Sequence, residues 1–513
     1  MWLDYVILGL YALSMVGIAL YTRNRSKSVD DFLLAGDKGL NGWMSAFAYG
    51  TTYFSAVIFI GYAGNFGRQY GLASIWIGVG NALLGSLIAW SVLAKRTKNM
   101  TNRLQSKTMP DFFEKRYGSK NLKFVSAIII FIFLIPYSAS VYSGLSSLFE
   151  IVFGIPGYII MIVLAVLTAF YLFFGGYFAT ALSDFIQGII MLFGVVIMVI
   201  CFLNHENVGW DLSTLTSNPN LNWVTFESTN KGIYGNTVSL ISLVLLTSFG
   251  VWGLPQTVHK YYAIRDRKAI NQGTIVSTLF ALIIGFGAYF VGSLSEMFPQ
   301  FSTVSGDRII PYMLSVVIPT GFMGVIAVLI LSASMSTLAS VSLTSASVVA
   351  VDIYKGKINT QASDKKINWV MRSLCLVFIL ISVVLAILNE KFNLSAIAYL
   401  MGISWGTLSG CFTGPFVYAL ISKKVTKSAS WASIISSLVL TVALIIFFGY
   451  HKNGFNCSFG FAIKTGVSCS PMIGVICIIF SLIITAIVSC LTKKPSKELI
   501  YNAFEKEIKN EIK

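Results

Sequence analysis

Ala333, Ser336, Thr337 and Ser340 lie at i, i+3, i+4 and i+7 of the run 332–345, so a helix through that run sets them on one stripe. The stripe is small and rich in hydroxyls. Stripes of this kind serve close helix–helix packing in membranes, or they offer neutral oxygens to a cation. A partner for the second role exists at two other places. Gly50-Thr51-Thr52-Tyr53-Phe54-Ser55 and Gly250-Val251-Trp252-Gly253-Leu254-Pro255 each interrupt an apolar stretch. Gly50 is a weak point in a helix, and a glycine kink used only for packing remains open there. Unwound backbone leaves carbonyl oxygens unpaired, and these suit a small hard cation. The hydroxyls of Thr51, Thr52 and Ser55 can satisfy other freed backbone groups. Taken together, a carbonyl-exposing break and a hydroxyl-bearing stripe make an oxygen cage for Na+.

Two further residues carry possible chemistry. Asp184, in Ser183-Asp184-Phe185, is one of few acids near an apolar stretch. An intramembrane carboxylate is costly and generally lines a cavity or an ion path; near the inner interface it would instead be a helix N-terminal charge. Tyr137, in Pro136-Tyr137-Ser138-Ala139-Ser140, has one apolar face and one hydroxyl. It can wall a small-solute pocket or simply pack.

The elements that must position these residues are membrane helices. The 513 residues are 56% hydrophobic and 11% charged, against about 25% charged in soluble domains. Thirteen apolar stretches of roughly membrane-crossing length run over 2–21, 41–64, 71–94, 121–149, 157–175, 180–203, 237–258, 270–294, 312–347, 369–389, 394–421, 428–449 and 472–491. The ninth has room for a short re-entrant or interfacial piece before its helix. The breaks fall in the second and seventh stretches, five apart, so the two halves insert with opposite orientation. The resulting division is an extra helix and inside loop (1–40), a first repeat (41–203), an outside loop (204–236), a second repeat (237–422) and two extra helices with a tail (423–513).

The net charge of +16 follows topology and does not mark a nucleic-acid binder. One set of alternate loops holds 29 Lys and Arg and the other six. Basic residues concentrate on the cytoplasmic side, which puts the amino terminus outside, the carboxyl tail inside, and the chain in the cell membrane as a multi-pass protein facing an anionic leaflet. No cleavable leader precedes the first stretch: Met1-Trp2-Leu3-Asp4 has no basic region. The tail, with Glu498, Glu505 and Glu507 among lysines, reads as a short membrane-surface helix. Five cysteines lie in or beside apolar stretches. Cys457 and Cys469 share the loop 450–471, where a disulfide is open. His205, His259 and His451 fall in predicted loops, and no Cys/His spacing suggests zinc or haem. No catalytic cluster is visible, so an enzyme is not expected. Oligomeric state is not legible.

The chain resembles the sodium:solute symporter family along essentially its whole length. The residues that carry the resemblance run in family order: Thr51 to Ser55 through Gly61; Tyr137-Ser138-Ala139-Ser140; Leu148-Phe149-Glu150 with Phe153-Gly154; Gly175-Gly176, Ser183-Asp184 and Gln187; Gly253-Leu254-Pro255-Gln256; and Met335-Ser336-Thr337-Leu338 through Asp352-Ile353-Tyr354-Lys355. The resemblance implies an all-α integral membrane protein of about 13 transmembrane helices with a leucine-transporter-like 5+5 inverted repeat. It implies a main Na+ site from the carbonyls of Thr51, Phe54 and Ala333 and the hydroxyls of Ser336 and Thr337. It offers Asp184 and Ser340 for a second Na+, although Ala339 lacks a hydroxyl that some two-sodium members supply. Substrate positions carried over are Ser55, Ile58, Tyr137, Ser140, Trp252, Pro255 and Gln256.

The implied activity is Na+-coupled import of a small organic solute by alternating access. An amino acid such as proline, or another carboxylate-bearing solute, comes first. A sugar or sialic acid is the alternative, and a channel or a proton-coupled carrier is the other class. Tyr53 stands where proline carriers have an aspartate, and Ile58 stands where sugar carriers are polar. No arginine lies mid-span to pair a substrate carboxylate.

Overall fold

The computed structural model describes residues 2–23, 28–34, 39–211, 213–217, 236–319, 321–392, 394–454 and 456–505. Most of the 204–236 loop, and the tail from 506 with Glu507, lie outside the described residues. Among those described, the chain is helical throughout and forms no strand; a single parallel bridge joins Leu40 to Ile264. The helices used below are α1 (Trp2–Thr22), α2 (Gly42–Tyr53), α3 (Lys120–Phe153), α4 (Gly157–Asn204), α5 (Asn236–Phe249), α6 (Pro255–Tyr262), α7 (Arg267–Ser293), α8 (Gly306–Val317), α9 (Met323–Ser347), α10 (Asp364–Phe392), α11 (Ile397–Ile421), α12 (Lys427–Asn453) and α13 (Ser470–Leu491).

Nine stretches among the described residues are long and apolar enough to cross a membrane, or ten if the bent pair Thr237–Trp252 and Pro255–Tyr262 is one span. The count of thirteen is therefore not reproduced by length and composition. The reason is continuity of helix. Val57–Leu104 and α4 are each 48 residues long, about 72 Å at 1.5 Å per residue, more than twice the ~30 Å apolar thickness of a bilayer. Each turns at a glycine: Gly71 has φ +55° and Gly176 has φ +63°, ψ −165°. These are backbone states that side chains with a Cβ resist.

The first break is also displaced from the expected position. Gly50, Thr51 and Thr52 remain helical, and α2 ends at Phe54, whose backbone is extended at φ −101°, ψ 105°. Gly50 serves packing: a Cβ there would lie 2.5 Å from the Phe280 ring. The second break runs as expected. A 3₁₀ turn over Gly250–Trp252 leads through Gly253 and extended Leu254 to Pro255 at the first turn of α6, where a missing N–H costs nothing.

The helix that carries the hydroxyl stripe, α9, lies at the centre. Met323–Ile358 is 94% buried over its most apolar window, against 22–67% for the other stretches. A helix apolar or small on every face belongs in the interior. Its start is capped by α1: Asp4, itself buried, accepts the Gly324 N–H at 2.8 Å. The short helix α8 precedes it. Beyond Ser347, α9 continues as Val348–Ile358, within which Asp352 accepts from Thr108 at 2.7 Å and lies 3.5 Å from the Lys123 ammonium. Lys123 also holds Asp111 at 2.9 Å and Glu114 at 2.9 Å. Burial alone would raise the Asp111 carboxyl, but the Lys123 and Lys115 ammoniums outweigh it and hold it below the usual carboxylate range. A depressed carboxyl stabilises the fold above its ordinary range, and that contribution is lost as pH falls through the lowered pKa.

Glycines set the helix spacing. Gly402, Gly406, Gly410 and Gly414 of α11 recur every fourth residue and face Ser470, Gly474, Cys477 and Ser481 of α13, the small-residue packing that membrane helices favour. Elsewhere, Gly67 meets the Gly292 backbone and Gly78 meets Gly285. Large apolar side chains such as Leu13, Phe193, Leu279 and Leu380 remain exposed on the outer faces. So much exposed apolar surface suits lipid and not water.

Two further expectations change, and one left open is decided. His259 sits inside α6 and is buried, because the helix continues past the point where the apolar run ends. Cys457 and Cys469 are not bonded to each other; the Cys469 thiol is buried and turned toward the Thr465 carbonyl at 3.5 Å. The described part of the tail docks on protein. Ala503 is buried, Phe504 lies 5.1 Å from the Arg116 guanidinium, and Glu505 pairs with Lys423 at 2.7 Å.

The glycine contacts predict a clear mutational contrast. In Gly67→Ala the new Cβ would stand 2.3 Å from Gly292 backbone carbon, so overpacking of about 1–3 kcal/mol is expected. Gly9→Ala on exposed α1, with nothing within 4 Å, is expected to be neutral. Thermal unfolding of the two variants in detergent checks this; equal melting temperatures would refute the close approach.

Candidate functional site: a carbonyl–hydroxyl cage

The break in α2 turns an ordinary helix end into a polar site. The last carbonyls of a helix have no partner within it. Gly50 still receives the Phe54 N–H at 2.9 Å, but Thr51 and Thr52 carbonyls look across to α9. Ser336 donates to the Thr51 carbonyl at 3.0 Å, and Thr337 lies 3.3 Å from the same oxygen and 3.4 Å from that of Thr52. The same two hydroxyls lie 3.2 and 3.1 Å from the Ala333 carbonyl. The Thr51 and Thr52 hydroxyls are turned back to Phe47 and Ala48 carbonyls at 2.8 and 2.7 Å, so they serve the helix and not the cage. Thr51, Thr52, Ala333, Ser336 and Thr337 are each at most 1% exposed.

Thr51, Ala333, Ser336 and Thr337 thus meet at one point. Phe54 caps the same helix, and no hydrogen bond brings its carbonyl to that point. A buried unpaired carbonyl costs about 1–3 kcal/mol, so the hydroxyl stripe is what permits the break. The donor set is chemically suited to Na+: neutral, hard oxygens, two of them hydroxyls able to turn from donor to acceptor. A softer or more highly charged metal calls for thiolate, imidazole or carboxylate.

Asp184 and Ser340 also come together, but around a group that the sequence reading missed. Lys260, counted there among the basic inner-loop residues, lies within α6 at 2% side-chain exposure. Its ammonium is 3.3 Å from Asp184 Oδ2 and 2.8 Å from Ser340 Oγ. Ser340 Oγ is in turn 2.9 Å from the Thr52 hydroxyl. Asp184 is eight residues past the Gly176 break and fully buried, so it is not a charge at a helix start. The available signal was position: Lys260 stands apart from the cluster Arg265, Arg267 and Lys268.

The substrate positions divide into two groups. Tyr137 is buried, with its hydroxyl 3.5 Å from the Thr52 carbonyl and beside Ser55, Thr337 and Trp405. Ser55, just past the break, and Ile58, in the helical turn Val57–Tyr62 that follows, are buried, and Ser55 Oγ accepts the Val57 N–H at 3.3 Å. Ser140 is turned to its own helix, bonding the Tyr137 carbonyl at 2.7 Å. The other group sits at the second break. Trp252 donates to the Leu84 carbonyl at 3.1 Å, Pro255 starts α6, and Gln256 is buried with its Oε1 unpartnered.

Trp405 of α11 joins the groups. Its ring is 5.6 Å from Tyr137 and 6.0 Å from Tyr53, and it lies 3.5 Å from where a Cβ on Gly250 would be. Its indole nitrogen is buried without a partner. Nothing in the motifs singled out Trp405, although an indole among glycines at every fourth position was a usable signal. Tyr53 ties the breaks together directly: its hydroxyl donates to the Thr247 carbonyl at 2.7 Å.

Comparison with known proteins agrees with this architecture. The chain is 28% identical to the osmoregulated proline transporter OpuE of Bacillus subtilis, with 98% of each chain covered. It is 26% identical to a sodium/proline symporter of Staphylococcus aureus, covering 96% of this chain and 94% of the relative. Among solved structures, a substrate-bound, outward-open Na+-coupled sialic acid symporter superposes with a TM-score of 0.77 at 17% identity, over 96% of this chain and 98% of the other. Mhp1, a nucleobase-cation-symport-1 family transporter, gives 0.51 at 12% identity, over 93% and 98%. Likeness at such identities is likeness of fold. The model of the sodium:solute symporter family matches residues 32–436, and the chain belongs to that family.

Proposed function

We propose that the protein is a Na+-coupled secondary active symporter that imports a small organic solute by alternating access, with an amino acid such as proline, or another carboxylate-bearing solute, the first candidate. The observation that carries this reading is the convergence of the Ser336 and Thr337 hydroxyls on the Thr51 carbonyl. Thr51, Phe54, Ala333, Ser336 and Thr337 are the proposed Na+ ligands. Na+ is cargo here. It would join the broken end of α2 to α9 and, through the Thr52 carbonyl and Tyr137 hydroxyl, order the adjoining solute pocket. Ser55, Ile58, Tyr137, Ser140, Trp252, Pro255 and Gln256 are the proposed solute contacts. Linkage makes the effect reciprocal: solute tightens Na+ binding by the factor that Na+ tightens solute binding.

The energetics are sufficient. One charge crossing about 100 mV contributes roughly 2.3 kcal/mol, and a tenfold Na+ gradient adds about 1.4 kcal/mol. Their sum supports a few-hundredfold accumulation at one Na+ per solute.

The proposed topology has thirteen spans, because Val57–Leu104 and α4 each turn at a glycine, α5 with α6 makes one broken span, and α11 adds another. Residues 41–203 and 237–422 are the inverted repeats, flanked by 1–40, 204–236 and 423–513. The amino terminus is placed outside and the tail in the cytoplasm of the cell membrane, from the basic-residue asymmetry. Lys260 leaves that count, since it lies in α6, and 28 against six carries the same sign.

A sugar or sialic acid is the alternative substrate class, favoured by the fold likeness to a Na+-coupled sialic acid symporter. Buried apolar Ile58 beside the break favours proline over a polyol. Coupling to H+ fits less well, because the cage oxygens are carbonyls and hydroxyls, which do not take up a proton near neutral pH.

Two experiments test the proposal. Uptake of labelled proline, monosaccharides, sialic acid and monocarboxylates into proteoliposomes is expected to favour proline and to require an inward Na+ gradient. Uptake driven by a pH gradient without Na+ would sink the coupling assignment. Thr337→Ala removes a hydroxyl ligand, worth about 1.5–3 kcal/mol toward a charged partner, so the half-saturating Na+ concentration should rise at least tenfold. Ala339→Gly should move it far less. Unchanged Na+ dependence in Thr337→Ala would mean that the cage is not the Na+ site.

A further inference from the structure

Asp184 and Ser340 present a carboxylate and a hydroxyl oxygen to one point, next to the cage but separate from its ligands. This is the donor set of a cation site, and a cation is already in it. The Lys260 ammonium contacts both groups, with side-chain exposures of 2% for the lysine and 0% for the aspartate. It also stands 5.3 Å from the Tyr177 ring centroid, whose negative face favours a cation. The second carboxylate oxygen, Asp184 Oδ1, is buried with no hydrogen-bond partner. The pair therefore has spare capacity for a cation, and the charge that balances Asp184 comes from the chain itself.

We propose that the Lys260 ammonium is the tethered occupant of a second cation site built by Asp184 and Ser340, so that the protein binds one mobile Na+ and not two. The inference deepens the Na+-symport reading and rests on it. A free Na+ sharing Asp184 and Ser340 with the ammonium would lie about 4 Å from it. Two unit charges at that distance repel by about 4 kcal/mol at an effective dielectric of 20, enough to displace one of them. The tethered cation cannot diffuse away, and its effective concentration at the site far exceeds that of a dissolved ion. Its position also ties it to the moving parts. Lys260 stands on α6, directly beyond the second break, and Ser340 passes the contact to the Thr52 hydroxyl of α2 at 2.9 Å. The ammonium thus closes a four-helix junction of α2, α4, α6 and α9 that a second Na+ would otherwise have to close on every cycle.

The test counts bound ²²Na+ on the purified full-length protein in detergent, without solute, so it needs no knowledge of the substrate. The wild-type chain is expected to bind one Na+ with a hyperbolic isotherm. Two Na+ per wild-type chain would overturn the proposal, whereas no saturable Na+ binding would overturn the symport reading beneath it. Lys260→Met removes the ammonium at nearly constant volume. Bound Na+ should then double, and the isotherm should become two-site. Lys260→Met/Asp184→Asn should return the count to one. A folded Lys260→Met protein that still binds a single Na+ would refute the stand-in role. Should Lys260→Met not fold, the wild-type count still decides.

Discussion

The structure depends on two backbone carbonyls that have nowhere else to go. Breaking α2 at Phe54 strands the Thr51 and Thr52 oxygens in the buried interior, where Ser336 and Thr337 of α9 reach them, with the Tyr137 hydroxyl at the Thr52 oxygen. In a bilayer such a break is tolerable only if protein or a wet cavity receives it. The same oxygens that must be satisfied for the chain to fold are those a small cation can take over. In the proposed reading, stability and ion recognition draw on one set of atoms, and occupancy of the cage would bear directly on how firmly the broken helix is held.

The surroundings make α9 the fixed member of that pair. Asp4 caps its first turn, the Asp352–Lys123–Asp111 network holds its extension beyond Ser347, and its flanks are buried along nearly the whole length. The breaks are held by separate contacts to several neighbouring helices. Tyr53 to Thr247 and Ser409 to Gly250, at 2.7 and 2.6 Å, are single hydrogen bonds between elements, each worth about 0.5–1.5 kcal/mol. A hydroxyl-bearing helix buried along its length, facing two broken ones held by individual contacts, is a physical basis for a bistable element, which the proposed alternating access requires.

Much of the cage was legible before any coordinates. The i, i+3, i+4, i+7 stripe gives Ala333, Ser336, Thr337 and Ser340 one face because helical period is a local property. The glycine and proline at 250–255 mark the second break because their backbone limits are also local. The span count was harder to read back from the structure, since Val57–Leu104 and α4 each run as one long helix through a glycine turn.

Lys260, Trp405 and the displaced end of α2 were not legible, and for a common reason. Charge sorting placed Lys260 in a loop with its basic neighbours, since no local rule reveals that Asp184, 76 residues earlier, waits to neutralise it. Trp405 joins the two breaks only because α11 packs its glycine face on α13 and turns its indole toward Tyr137 and Gly250. Gly50 invited an early break, but the Phe280 ring fills the space beside it and helix persists for another turn. The sequence by itself determined the membrane helices, the second break and the hydroxyl stripe, because these follow from periodicity and backbone restriction within one segment. The tertiary structure alone decided which carbonyls meet which hydroxyls and which cation meets Asp184, because those contacts join atoms dozens to hundreds of residues apart.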